Sequence, residues 1–329
     1  MIRARALSPW IEVRPYQLPL VRPFRTSHGV RDVREGFLVL AHEDGLLGRG
    51  DAAPLPELGT ETLSECLAQL QRSRFDALPE APAARCAVEQ ALLDLEAQRA
   101  GIPLARLLER DAPLEVPASA LLTSDAMPEL AREANRAAAD GFGTLKLKVG
   151  MYDDYARAAV VRDAAGPEIR IRLDANGAWD ATAAMRKLRE LAPLEIELCE
   201  QPTPDLRGLD ASPVPVAADE MMATDLEGAL ERARIVVLKP MLLGGLRRAL
   251  RIAWRAHERG LRIVITTSLE SAVGRAGAAH LAAAVLALGS QPAAGIATGR
   301  LIAEDAGEDP FAPERGVVHI PDVPGLGLP

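Results

Sequence analysis

Three cysteines in 329 residues (Cys66, Cys86, Cys199) are too few and too scattered for a disulfide framework. They suit a reducing compartment, and no CxxC or Cys/His spacing suggests zinc. The opening stretch, MIRARALSPWIEVRPYQLPL, carries basic residues but no continuous apolar run, so a secretory leader is not expected. No apolar run reaches the ~20 residues that a membrane helix needs. The most apolar segment, HLAAAVLAL (280–288), reads as a buried alanine-rich helix instead. No GxGxxG loop is present to mark a dinucleotide site. Basic residues are outnumbered, and the net charge of −8 argues against nucleic acid or an anionic membrane as partner. A cytoplasmic location is the expectation.

What is present is enough apolar residue, 48% of the chain, to build one large barrel and a smaller domain. Residues 1–112 read as an α+β unit. WIEVRPYQL and EGFLVLAHEDGLLGRG alternate as half-buried strands do, with Glu43, Asp44 and Gly45 turning a hairpin. Helical periodicity follows over 60–73 and 84–99, with Gly101 and Pro103 ending the second. From about 113 to 299 the rhythm changes. Strand candidates at 116–122, 144–149, 169–175, 196–200, 215–219, 235–239, 262–267 and 293–298 alternate with helical stretches. These include 126–139, 181–191, 226–233, 246–258 and 271–287. Eight such units imply a parallel barrel or a doubly wound sheet. After residue 300 the chain is acidic and proline-rich, and is expected to return to the first domain.

Charges at strand ends select the barrel, which keeps its site at the C-terminal rim of its strands. TLKLKVG, IRLDAN, ELCEQP, VAADE and VVLKP are short apolar runs that each end in a charge. Side-chain alternation puts Lys146 and Lys148 on one face, with Leu145, Leu147 and Val149 on the other. The same parity sends Arg172, Asp174 and Asn176 inward. Asp174, Glu200 and Asp219 end consecutive strands; three converging carboxylates cannot all stay ionised without a cation. A single Asp after a strand could equally be a helix N-cap. The all-oxygen set without Cys or His selects a hard ion, Mg²⁺, with Mn²⁺ the alternative occupant. Lys148 and Lys239 would then stand on opposite faces of a carboxylate substrate. Neighbouring positive charge lowers a lysine toward a value useful for a base, and Lys146 supplies that charge.

K-x-K (Lys146, Lys148), D-A-N-x-x-W (Asp174, Asn176, Trp179), E-Q-P (Glu200), D-E (Asp219, Glu220) and a later Lys239 together resemble the enolase superfamily, muconate-lactonising subgroup. That superfamily uses a Lys or His base with Mg²⁺. The resemblance spans nearly the whole chain and implies a modified (β/α) barrel, (β/α)7β in type, with an α+β capping domain. GRGDAAPLPELGTET (48–62) looks like a cap segment of the family, with Asp51 where Glu is usual. TTSLESAVG (266–274) and GIATGRL (295–301) are similar to the seventh- and eighth-strand ends of the o-succinylbenzoate synthases. The implied reaction is dehydration of a succinyl-hydroxycyclohexadiene carboxylate in menaquinone biosynthesis. Lys148 would take the α-proton, and Lys239 would stay charged. N-succinylamino acid racemisation or dipeptide epimerisation would use the same core.

Three further segments carry expectations. Thr267-x-x-Glu270 fits a capping box, and the same helix start could instead bind a substrate carboxylate, making Ser268 and Glu270 candidate binding residues. The loop 21–30 is a solvated hairpin loop or, by resemblance, a cover over the barrel mouth that offers Arg25, Thr26 and His28. His42, His257, His280 and His319 have no ligand spacing and read as structural or exposed.

Overall fold

A computed structural model of the chain describes residues 9–26, 29–150 and 153–329. The first part is a three-stranded antiparallel sheet, β1 (Trp10–Thr26), β2 (Gly29–Glu43) and β3 (Leu46–Ala52), in that order, followed by α1 (Leu63–Leu70), α2 (Pro82–Ala100) and α3 (Leu104–Leu108). Asp44 and Gly45 both take positive φ, 50° and 82°, which is the two-residue hairpin turn that the sequence implied. Strand parity divides β2 between two partners. Phe37, Val39 and Ala41 pack on Ala84, Ala87, Val88 and Ala91 of α2, whereas Leu38 on the other face meets the barrel core. The helix lies directly on the β3 backbone. A Cβ at Gly48 or Gly50 would stand 2.0 or 1.9 Å from the carbonyl oxygens of Ala91 and Ala87.

α1 is shorter than its periodicity suggested. Thr62 accepts from the Glu65 amide, and the Glu65 carboxylate accepts from the Thr62 amide, so the cap fixes the start at 63. β1 is an edge strand seventeen residues long, and its exposed edge is interrupted by Pro15, Pro19 and Pro23, which cannot donate to a foreign strand.

The second part begins with β4 (Glu115–Pro117) and β5 (Ala120–Leu122) and alternates through α4 (Met127–Ala139), β6 (Thr144–Lys148), α5 (Asp154–Ala165), β7 (Arg170–Asp174), α6 (Ala181–Leu191), β8 (Ile196–Glu200) and β9 (Val216–Ala218). It continues through α7 (Met221–Thr224), α8 (Leu226–Arg232), β10 (Ile235–Leu238), α9 (Pro240–Leu243), α10 (Leu246–Glu258), β11 (Arg262–Ile265) and α11 (Ala272–Leu286), and ends with β12 (Val317–His319). β5 to β11 form one parallel sheet in chain order, β5 beside β6 and so on to β11. The fold is the α/β barrel with an α+β cap that the resemblance implied.

Two strand expectations change. The run 116–122 is split: β4 pairs with β12 outside the barrel, and only β5 joins the sheet. The run 293–298 contributes just Ala294 and Gly295, which bridge Ala118 and Thr266 and so join the two edges of the sheet. The Gly295 carbonyl accepts from the Thr267 amide at 3.2 Å and from the Thr266 and Thr267 hydroxyls at 2.9 and 3.3 Å.

Leu145, Leu147, Ile171, Leu173, Cys199, Val236 and Ile263 face the helices, while Leu198, Ala217, Ile235, Val237 and Val264 form a separate apolar plug inside the barrel. α11 is buried along its length from Ala272 to Val285, and Gln90 of α2 donates to its Val273 carbonyl at 2.7 Å. The chain after residue 300 returns to the cap: Leu20 bridges Ile302, and the Ala303 amide donates to the Pro19 carbonyl. Among the described residues no helix is long and apolar enough to cross a membrane.

Candidate active site

The C-terminal ends of the central strands open into a cavity of about 190 Å³. Lys146, Lys148, Asp174, Asn176, Glu220 and Lys239 form its floor, while Arg31, Arg34, Leu55, Glu57 and Leu58 come from the cap. Ser119, Leu121, Thr266 to Leu269, Gly295, Ala297 and Thr298 complete it. A wider cleft of about 630 Å³, with Arg22, Glu133, Arg157 and Arg300 on its walls, lies on the far side of Lys148. Size does not decide between them, since the charged strand ends converge on the smaller one.

Register explains the convergence. Lys148 pairs with Asp174, and Asp174 with Glu200, so three charges stand in one row across β6, β7 and β8. Ala217 continues that row, and Asp219 follows two residues on, with the same parity. Gln201 holds this end in place: its Oε1 accepts from the Asp219 amide at 2.9 Å and its Nε2 donates to the Thr203 carbonyl at 2.8 Å. The EQP motif was legible in the sequence; the bracing role of its glutamine was not.

The three lysines have different partners. Lys146 donates to Glu200 and stands 2.9 Å from Asp174 Oδ2. Lys239 donates to both oxygens of Asp219, at 2.6 and 2.5 Å. Lys148 donates to Asn176 Oδ1 at 2.9 Å, and Asn176 Nδ2 donates in turn to Glu220 Oε1 at 2.9 Å. Asn176 has φ 44°, a left-handed conformation that asparagine tolerates better than most residues.

Their proton affinities diverge accordingly. Burial works against the charge of Lys146, but Asp174, Glu200 and Asp219 outweigh it and hold its pKa above the usual lysine value. Lys239 is raised in the same way, against burial, by Asp219 and Glu220. Lys148 goes the other way: burial lowers it, and the positive charges of Lys146 and Lys239 add to that against the pull of Asp174. Burial raises Glu200, while Asp174 lies below the usual carboxylate range because Lys146 and Lys148 overcome its burial. Burial, with Asp219 alongside, pushes Glu220 up to about 7.

Asp174, Glu200 and Asp219 are 3%, 1% and 4% exposed and offer only oxygen, which is the donor chemistry of a hard dication. They share one rim without being preassembled. Among the described residues no three acidic, His or Cys side chains surround one point closely enough to hold an ion, because Lys146 and Lys239 stand against the carboxylates. Among the described residues, three buried polar atoms on residues lining this cavity have no partner: Arg34 Nε, Glu220 Oε2 and Ser268 Oγ. Unpartnered polar atoms in such a place fit a polar ligand.

The chain belongs to the enolase superfamily: residues 129–329 match the enolase C-terminal domain-like family. It is thereby an enzyme of that superfamily, and residues 11–97 match the N-terminal domain of o-succinylbenzoate synthase. It is 35% identical over 314 residues to o-succinylbenzoate synthase of Thermobifida fusca, covering 91% of this chain and 85% of that one. It is also 32% identical to L-Lys-D/L-Arg epimerase of Methylococcus capsulatus, over 97% of this chain and 98% of the relative. Among solved structures, a dipeptide epimerase of Enterococcus faecalis, complexed with Mg and L-Leu-L-Tyr, superposes with a TM-score of 0.88 at 28% identity, covering 96% of this chain and 98% of that one.

The other expected residues are dispersed. Ser268 lines the cavity, whereas Glu270 is not part of its wall and accepts the Ser268 amide. The capping box is corrected. α11 starts at 272 with Ser271 as its cap, and the Thr267 hydroxyl bonds to Thr298 at 2.8 Å. The helix start is not open to a carboxylate either: the Ser271 and Ala272 amides already donate to Asp51 and Asp305. Asp51 thus ties the cap to the barrel, accepting from the Tyr16 hydroxyl at 2.7 Å as well. Arg25 and Thr26 pair along the backbone with Val30 and Gly29, and His28 lies outside the described residues.

Sequence reading missed Arg31 and Arg34. The parity of β2 was the available signal, since Arg34 shares a face with Leu38 rather than Phe37. A second signal concerns the lysines. Of 38 basic residues only four are lysines, and three of those four line this cavity.

Proposed function

We propose that the protein is a Mg²⁺-dependent o-succinylbenzoate synthase, which removes water from 2-succinyl-6-hydroxy-2,4-cyclohexadiene-1-carboxylate in menaquinone biosynthesis. The observation that carries this reading is the character of the cavity. Lysines from β6 and β10 enter its floor, and its cap wall offers guanidiniums and leucines but no uncommitted carboxylate. Glu57, the acid on that wall, is bonded to Arg31 at 2.6 Å. Such a wall suits an apolar ring with an anionic tail, and disfavours the free ammonium of a dipeptide.

Asp174, Glu200 and Asp219 would hold the Mg²⁺, which when bound neutralises negative charge building on the substrate carboxylate. Lys148, the lysine with lowered proton affinity, takes the α-proton. It then returns a proton to the leaving hydroxyl on the same face. The C–H and C–O bonds break, a ring double bond forms and water departs. Lys239 stays an ammonium ion beside Asp219 and offsets charge on the opposite face. Lys146, bonded to Glu200, supplies the repulsion that keeps Lys148 receptive. Asn176 and Glu220 orient the Lys148 ammonium through their hydrogen-bonded chain.

A second reading, racemisation of N-succinylamino acids, is favoured by the lysine pair itself, because two bases on opposite faces are what inversion at carbon requires. The test is direct. Purified protein with Mg²⁺ and the cyclohexadiene should generate the absorbance of the aromatic product. Absent that change, with N-succinylamino acids exchanging their α-hydrogen for solvent deuterium, the racemase reading replaces the lyase.

A further inference from the structure

Among the described residues the largest fully buried side chains are three arginines, Arg34, Arg172 and Arg275. Arg172 pairs with Glu197 at 2.7 Å, and Arg275 pairs with Asp305 and Asp309 at 2.6 and 2.5 Å. Arg34 has no ion pair among the described residues. Its Nη1 donates to the Pro54 and Glu35 carbonyls at 3.0 and 3.2 Å, its Nη2 donates to the Ala53 carbonyl, and its Nε donates to nothing. The two buried acids that feel its charge, Asp51 and Glu270, are committed elsewhere, to Tyr16 and Ser271 and to the Ser268 amide.

A guanidinium cannot shed its proton, so a buried one without a carboxylate is costly unless an anion joins it. Arg34 lines the cavity from the cap side, and Ser268, whose buried hydroxyl has no partner among the described residues, lines it from the barrel.

We propose that Arg34 is the receptor for a second anionic group on the substrate, a carboxylate remote from the reacting carbon, with Ser268 Oγ as its partner on the barrel side. This deepens the function proposed above and rests on it for the identity of the cavity. The cap is then part of the binding site, and the preferred substrates carry a carboxylate at both ends. A substrate whose far end is an ammonium or a neutral amide loses this contact.

The experiment is calorimetric and needs no turnover. With Mg²⁺ present, the intact protein is titrated with o-succinylbenzoate and with its tail amide, and N-succinyl- is compared with N-acetylamino acid. Wild type should prefer the carboxylate tail by roughly 10- to 100-fold, the range for a hydrogen bond to a charged group. Arg34→Gln should bring that ratio near one, and Ser268→Ala should reduce it in part. A wild-type ratio near one overturns the proposal, as does a ratio that survives in folded Arg34→Gln. Should Arg34→Gln fail to fold, Arg34→Lys and Ser268→Ala carry the test, and an unchanged ratio in both overturns it. Failure of the dehydration assay with this ratio intact would count against the lyase reading alone.

Discussion

Two groups of buried charge lie inside the same barrel, one residue pair apart along β7, and they are built to opposite ends. In the lower one, Arg172 pairs with Glu197 and donates to the Ala293 carbonyl at 2.7 Å on the closing segment. Glu197 also lies 3.9 Å from Arg170 and 4.0 Å from Arg262, and neither Arg172 nor Glu197 borders the cavity. In the upper one, Lys146, Lys148, Lys239, Asp174 and Glu220 border open space, with Glu200 and Asp219 bonded to Lys146 and Lys239 behind them. Strand parity points Arg172 and Asp174 the same way, but on β8 Glu197 and Glu200 differ in parity, and the β7–β8 register shifts between Ile171 and Arg172. The difference lies in where the charges stand relative to the cavity. A closed pair gives the barrel a fixed cross-link, whereas a surplus of charge around a cavity gives it somewhere to bind and to move a proton.

The sharpest way to break this contrast is Lys148→Ala. Turnover should fall by about 10²–10⁴, the usual worth of a general acid–base group, with the thermal midpoint little changed. Substantial residual dehydration would remove Lys148 from its proposed role. Glu197→Gln should do the reverse. Leaving Arg172 buried without its partner should cost about 3–5 kcal/mol in denaturant titration, while kcat of the folded fraction stays near wild type. A double change of Arg172 and Glu197 to leucine should recover much of that loss; if it does not, the lower pair contributes more than mutual compensation.

His280 offers a third kind of buried group, one kept neutral. Burial lowers its pKa to about 4, and the ring accepts from the Ala105 amide at 2.9 Å. A folded value below the unfolded 6.5 means that the unfolded chain gains the proton first as pH falls. Stability is therefore complete above about 6.5 and declines toward 4, by roughly 3 kcal/mol in all. His280→Gln should flatten this limb in urea melts taken between pH 7 and pH 4; an unchanged slope would point to other groups. The smallest effect concerns the metal. Mg²⁺ at a hundred times its dissociation constant should raise stability by about 2.7 kcal/mol in the wild type, and Asp219→Asn should abolish that gain. An equal gain in the variant would exclude Asp219 as a ligand.

Much of the barrel was legible because period-two and helical patterns report which face is apolar, and burial enforces both. β6 to β11 and the helices α4, α6, α8, α10 and α11 follow those patterns to within a residue or two. The eighth strand was overread at 293–298 because its apolar composition reflects packing, while only Ala294 and Gly295 form bridges to the edges of the sheet. Thr267 was overread as a cap for a similar reason. Its spacing to Glu270 is right, yet Asp51 and Asp305, distant in the chain, reach the helix start.

The sequence by itself determined which charges stand at strand ends and which way they point, because alternation along a strand is local geometry. It also determined the superfamily through the spacing of those charges. Only the tertiary structure decided that Lys146 bridges Asp174 and Glu200, that Lys239 closes on Asp219, and that Arg34 is buried without a carboxylate. Those outcomes depend on distances between segments tens to hundreds of residues apart, and packing of the whole molecule sets such distances where no local pattern can.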